Sequence, residues 1–173
     1  MPVPKPWWRD VLETIVYAIV LALLIRTFVI QAFWIPSSSM VPALEPGDRV
    51  MVLKFWHHLP KVELKRFQIV VFKYPVDPRR DFVKRLIGLP GDKVEIIGGR
   101  VFINDREIAE PYVQNPDSFT MAPEIIPPGN YFCLGDNRIN SQDSRFWGFV
   151  KEDLMRGPAV FRYWPLSRAG LLD

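Results

Sequence analysis

The chain has 173 residues, 49% apolar and 24% charged, an ordinary globular balance that suggests one domain with a small appendage. Its net charge of +3 comes from scattered basic residues and argues against a nucleic-acid surface. A single cysteine excludes an intrachain disulfide and a Cys-based metal site. His57 and His58 are the only histidines, which argues against a Ser-His-Asp triad, and 17 prolines argue against a helical array.

Residues 11–25 read VLETIVYAIVLALLI, and after Arg26 the apolar character resumes through TFVIQAFWI. At ~1.5 Å rise per residue, a helix from Leu12 to Phe33 would cross the ~30 Å hydrocarbon core of a bilayer. Arg26 would snorkel toward headgroups, and Trp7 and Trp8 on one side and Trp34 on the other suit the two aromatic belts. A cleavable leader needs small residues three and one positions before the cut, and residues 26–34 offer no such pair, so a retained anchor is expected. A buried core helix is the alternative, but little of the chain is left to pack against it. Lys5 and Arg9 precede the run and by the positive-inside rule stay in the cytoplasm, with Arg26 a weak counterweight. The expected organisation is a cytoplasmic segment 1–10, a single-pass plasma-membrane anchor 11–34 and an extracytoplasmic body 35–173.

Beyond Pro36 the periodicity becomes strand-like. Strands are predicted at Arg49–Phe55, Phe67–Lys73, Phe82–Ile87, Lys93–Ile97, Arg100–Asn104, Asn130–Leu134 and Ala159–Tyr163, each rich in Val, Ile, Phe or Tyr. Gly98-Gly99 between VEII and RVFI is a hairpin signal, because both central positions of a type I′ turn need positive φ. Pro46-Gly47-Asp48 and Pro90-Gly91-Asp92 read as turns. Residues 110–128 hold five prolines and read as a surface loop, and a short helix is expected near Lys151–Met155. The fold class is mostly β: a partly closed antiparallel sheet or barrel behind one N-terminal transmembrane helix. In Phe55-Trp56-His57-His58, adjacent histidines point apart and lack a third ligand. A membrane-surface contact and simple core packing of Trp56 remain the readings there.

Three clusters combine polar groups with stiff backbone. The first is Ile35-Pro36-Ser37-Ser38-Ser39-Met40-Val41-Pro42, three hydroxyls between prolines, which alone reads equally as a linker or turn. The second is Asp81-Phe82-Val83-Lys84-Arg85-Leu86-Ile87. On a strand Phe82, Lys84 and Leu86 share a face; if that face is buried, Lys84 is desolvated and its pKa falls, while Arg85 points the other way. The opposite reading exposes Lys84 and buries Val83 and Ile87. The third is the hydrogen-bonding run Gly135 to Arg145, GDNRINSQDSR, in which Asp143 and Arg145 can pair; a solvated loop is the plainer alternative.

Taken in order, an anchor, PSSSM-x-P, FVKR-LIGLPGD and GDNR-x-x-S-x-DSR resemble the type I signal peptidase family of bacteria, in its short single-anchor form. The resemblance runs from the anchor to about Gly148 and implies a membrane-bound serine endopeptidase with a Ser–Lys dyad. It implies Ser39 as nucleophile and Lys84 as general base. By the same resemblance Ser37 and the Ser39 N–H would form the oxyanion hole, Ser141 would orient the amine, and Asp143 with Arg145 would brace the site. The resemblance further implies shallow apolar pockets for small side chains, drawing on Phe33, Ile35, Pro36, Met40, Leu44, Phe82 and Val83.

The same resemblance implies signal peptides of exported preproteins as substrates, cut after Ala-x-Ala, the lipid bilayer as a partner, and no cofactor or metal. Three positions depart from the family pattern: Ser38 for glycine, Ala43 for threonine and Phe82 for tyrosine. The alternatives are a specialised processing peptidase of the same family and a membrane-tethered β-domain that binds a partner without catalysis. Cys133 lies in the apolar run YFCL and reads as a buried small hydrophobe.

Overall fold

The computed structural model describes residues 7–25, 29–54 and 63–172. Lys5, Arg26 and the Trp56-His57-His58 segment lie outside the described residues. Helix α1 (Trp7–Leu24) is followed by strands β1 (Ile30–Trp34), β2 (Arg49–Leu53), β3 (Ile69–Lys73), β4 (Asp81–Gly88), β5 (Lys93–Ile97), β6 (Arg100–Ile103), β7 (Arg106–Glu107), β8 (Met121–Ile125) and β9 (Asn130–Leu134). Helix α2 (Ser144–Trp147), β10 (Val150–Lys151), β11 (Met155–Trp164) and β12 (Gly170–Leu171) complete the chain.

The body is antiparallel β, as its strand-like periodicity predicts. One sheet runs β1-β2-β11-β3-β4-β9-β10, with β12 on β11; a second runs β7-β6-β5-β8. Strand β11 changes partner midway: Met155–Pro158 pair with β3 and Ala159–Trp164 with β2. Register shifts along it bend the strand, and the sheet curls. Strand β3 is buried at Ile69, Val70, Val71 and Phe72 because both its faces are covered. Val70 and Phe72 join one apolar cluster with Leu86 and Cys133, while Ile69 and Val71 join another with Ile35, Met40 and Leu44. The smaller sheet packs a third cluster around Ile87, Val94, Ile126 and Phe132.

Several sequence expectations need correction. The helix predicted from Leu12 through Phe33 does not extend that far: its α-helical part is Trp7–Leu24, Ile25 and Val29 are π-helical, and Ile30–Trp34 pairs with β2 in full register. The alternation of Gln31, Phe33 and Ile35 with Ile30, Ala32 and Trp34 reads as a strand once a partner is available, and the β-rich body therefore begins before residue 35. The stretch 110–128 is not all loop: Met121–Ile125 adds to β5 despite Pro123, which an edge strand tolerates. The strand expected from Phe67 starts at Ile69 because Phe67 has a φ of 74°. The helix expected near Lys151–Met155 is one 3-10 turn at Glu152–Leu154.

At the β5–β6 hairpin, Gly98 and Gly99 have φ of 55° and 84°, the type I′ signature. Gly99 has a second constraint: a Cβ there would lie 2.0 Å from the Asp117 carbonyl oxygen, so the loop after β7 crosses directly over the turn. Gly99→Ala is expected to lower stability by about 1–3 kcal/mol, read as a fall in Tm, whereas an alanine at Gly98, with no neighbour in reach, costs less.

Candidate active site

The serine triplet is a pinned turn and not a linker. Ile35, Met40 and Leu44 on either side of it are fully buried, and the Leu44 N–H donates to the Met40 carbonyl at 2.9 Å. Behind it, Arg168 and Arg162 donate to the Pro42 and Ala43 carbonyls at 3.2 and 2.7 Å. Both arginines also pair with the buried Asp48. This frame holds Ser39 at the surface of the core, 8% exposed.

The alternation on β4 places Lys84 with Phe82 and Leu86 and sends Arg85 the other way. Because both faces are covered, the two cations are 4% and 5% exposed. Lys84 Nζ lies 2.7 Å from Ser39 Oγ, 45 positions away in sequence, and 5.7 Å from the Phe82 ring centre. Arg85 grips Asp136 with two bonds, at 2.9 and 2.6 Å. Burial lowers the Lys84 pKa from the usual 10.5 to about 8; Asp143 and Asp136 oppose this and Arg145 adds to it. Burial also pushes the Cys133 thiol up, in keeping with a small core side chain.

The run 135–145 folds over this pair. Asp143 accepts from the Gly135 N–H at 3.0 Å, caps α2, and takes two bonds from Arg145 at 2.8 Å each. The Asn137 N–H donates to the Ser39 carbonyl at 3.0 Å. Ser37 Oγ is 3.3 Å from Ser39 Oγ. Ser141 is close by, since a Cβ on Gly135 would lie 2.1 Å from its Oγ and 2.6 Å from the Ser39 carbonyl oxygen. The buried Ser141 Oγ has no hydrogen-bond partner among the described residues, so the structure does not join it to the amine.

A groove of about 410 Å³ opens beside Ser39 and Lys84. Phe33, Ile35, Pro36, Met40, Phe82 and Val83 line it; Leu44 does not and is core behind the nucleophile turn. Sequence reading missed Trp34, Arg80, Asp81, Asn140 and Gln142 in the lining, and also Gly135, Asn137 and the Arg85–Asp136 pair. The missed polar residues neighbour assigned ones, and only the fold turns them toward the groove. Among the described residues no group of His, Cys, Asp and Glu is arranged to hold a metal ion.

A buried lysine amine within hydrogen-bond reach of a serine hydroxyl, at the end of an apolar groove, supplies the parts that an activated serine nucleophile needs. The family model "Signal peptidase, peptidase S26" matches residues 8–164. A signal peptidase I of Leptolyngbya laminosa is 44% identical over 169 residues, 93% of this chain and 82% of that one. A probable signal peptidase I-2 of Synechocystis is 42% identical over 98% of this chain and 79% of its own. A solved signal peptidase I from Enterococcus faecalis is 35% identical at a TM-score of 0.49, covering 56% of this chain and 96% of that one. The chain belongs to the signal peptidase family, peptidase S26, and is a serine endopeptidase.

Two outcomes are expected from this geometry. A lysine works as a base only when neutral; with Lys84 in that role, the active fraction falls roughly tenfold per pH unit below a pKa of about 8, and kcat/KM should climb as pH rises toward 8 and then level. Gly135→Ala should cut kcat by at least ~10-fold in a protein that still folds, because its methyl displaces Ser141 and the Ser39 carbonyl.

Proposed function

We propose that Ser39 and Lys84 are the dyad with which this chain cuts N-terminal signal peptides from exported preproteins after small residues. The observation that carries it is the 2.7 Å approach of a buried amine of lowered pKa to a serine hydroxyl. Ser39 Oγ attacks the scissile carbonyl carbon as its proton passes to neutral Lys84 Nζ. Ser37 Oγ–H and the Ser39 N–H receive the oxyanion. The Lys84 ammonium protonates the departing amine, leaving an acyl-Ser39. Lys84 then takes a proton from water, whose oxygen attacks the ester, and collapse of the second oxyanion returns the proton to Ser39. Ser141, whose hydroxyl has no partner among the described residues and lies beside Ser39, orients the Lys84 amine once substrate draws that amine from Ser39. Asp143 and Arg145 brace the loop. No cofactor enters any step.

Strand pairing supports an extended substrate. Along β4, Asp81–Lys84 pair with β3, but pairing with β9 begins only at Arg85, so one backbone edge faces the groove unpaired. A peptide can add there as a strand and direct alternate side chains into the apolar lining. Shallow pockets admit alanine at the positions three and one before the cut.

A membrane seat fits the same reading. Helix α1 buries no residue against the body, and its apolar side chains from Val11 to Leu24 are largely exposed. Among the described residues no helix is long and apolar enough to cross a membrane, α1 having 18 residues that include Arg9, Asp10 and Glu13. We assign α1 with the segment after it to a single-pass anchor, with the β body extracytoplasmic. Exposed Trp34 and Trp164, both in register with Arg49, suit the lipid–water interface. A substrate held in the same bilayer meets the enzyme at raised effective concentration.

With a preprotein carrying alanines three and one before its cleavage site, the protein in liposomes should produce a size shift on a gel. Ser39→Ala and Lys84→Ala should each lower the rate at least ~10³-fold, and Ser37→Ala ~10²–10³-fold. Lys84→Arg should be inactive at pH 7; activity there would show that an always-charged side chain suffices and would remove the neutral-base role.

A further inference from the structure

The segment 108–120, between β7 and β8, stands outside the groove yet touches each arginine around the polar run 135–145. Glu110 Oε1 accepts from Arg138 Nη2 at 2.5 Å, in a pair whose side chains are 10% and 2% exposed. Asp117 pairs with Arg145 Nη1, whose side chain is 1% exposed. The Tyr112 ring centre lies 4.0 Å from the Arg85 guanidinium, and Tyr112 Oη donates to Glu110 at 2.9 Å. Asn115 makes a parallel β-bridge with Asn137. The far end of the segment is fixed where Asp117 crosses Gly99 and the Gly99 N–H donates to the Phe119 carbonyl at 2.8 Å.

The same residues reach the dyad from their other side. Asn137 donates its backbone N–H to the Ser39 carbonyl, at 3.0 Å, and its amide to the Ser38 carbonyl, at 3.2 Å. Arg145 holds both oxygens of Asp143 and the Arg138 carbonyl. Asp143 in turn holds Gly135 against Ser39 and Ser141. A buried guanidinium keeps its place only while each N–H has a partner; removing one carboxylate leaves charge to be re-paired by a shift of the whole fork.

We propose that residues 108–120 form a positioning strap: through Glu110–Arg138, Asn115–Asn137 and Asp117–Arg145 it presses the polar loop onto Ser39 and Lys84, and so sets turnover without touching substrate. The proposal rests on the reading of Ser39 and Lys84 as the dyad. Glu110 and Asp117 are positioning residues, separated from the groove by the loop they hold. The charged or titratable groups that act on Lys84 are Asp143, Asp136, Arg145 and the Cys133 thiol. Of these, Arg145 alone is neutralised from the strap.

The test uses the full chain in liposomes, with Glu110→Gln, Asp117→Asn and the double variant, and Asp105→Asn as a control in an exposed pair with Lys93. Cleavage kinetics are read beside amide hydrogen exchange in residues 135–141. The double variant should lose at least tenfold in kcat with KM within twofold. Exchange in 135–141 should quicken at least tenfold, and Asp117→Glu should recover most of the kcat lost in Asp117→Asn. The acid limb of the Asp117→Asn rate profile should move to lower pH, because Arg145, less neutralised, disfavours the charged lysine. Folded variants with kcat and exchange within twofold of the parent would overturn the strap, as would a kcat loss matched by lost folded protein at unchanged exchange. Cleavage that survives Ser39→Ala would remove the dyad reading instead. The exchange comparison is independent of it and still decides whether the strap holds the loop.

Discussion

The amine of Lys84 is 4% exposed and sits 2.7 Å from a serine hydroxyl, and the rest of the structure is arranged around keeping it there. A lysine in water is protonated at neutral pH and has no lone pair to offer. Removing it from water disfavours the charged form, but only if no nearby anion restores it. That demands a strand covered on both faces at Lys84, and the curled sheet supplies it, with apolar clusters on each side of β3 and β4.

The polar loop puts two carboxylates, Asp136 and Asp143, close enough to raise the lysine pKa. Each is held by an arginine through two bonds, Asp136 by Arg85 and Asp143 by Arg145. Buried ion pairs of this kind contribute little net stability, because desolvation offsets their attraction. Here they have a different consequence. The loop thereby uses Asp143 to orient Gly135 and cap α2, while Arg145 offsets part of the negative charge that raises the Lys84 pKa.

The departures from the family pattern are absorbed locally. The Ser38 hydroxyl accepts from the Asn140 amide at 2.8 Å, adding a tie between the nucleophile turn and the polar loop that glycine lacks. Phe82 brings no hydroxyl to Lys84, but its ring stacks on Tyr74 with centres 4.3 Å apart and walls the amine from solvent. Ala43 serves through its carbonyl, which Arg162 holds. With all three in place Lys84 Nζ lies 2.7 Å from Ser39 Oγ.

The class of chemistry showed in the sequence only as a resemblance carried by three ordered motifs; taken alone, the serines between prolines read equally as a linker and either face of the Lys84 strand could be the buried one. Strand periodicity and Gly98-Gly99 disclosed an antiparallel β body, since side-chain alternation and positive φ are local properties. Which face of β4 is buried was not local; it depended on β3 being covered from both sides by segments distant in sequence. The strand Ile30–Trp34 was hidden for the same reason, its apolar residues matching a membrane helix until β2 provided an edge. Leu44 was misplaced because an apolar side chain beside a nucleophile can face the groove or the core, and packing with Ile35 and Met40 chose the core. The sequence by itself determined the strand periodicity, the hairpin glycines and the order of the three polar motifs. Tertiary structure alone decided the 45-residue approach of Lys84 to Ser39, the arginine grips on Asp136 and Asp143, and the crossing of residues 108–120, because each joins charges whose pairing depends on burial and not on neighbourhood in the chain.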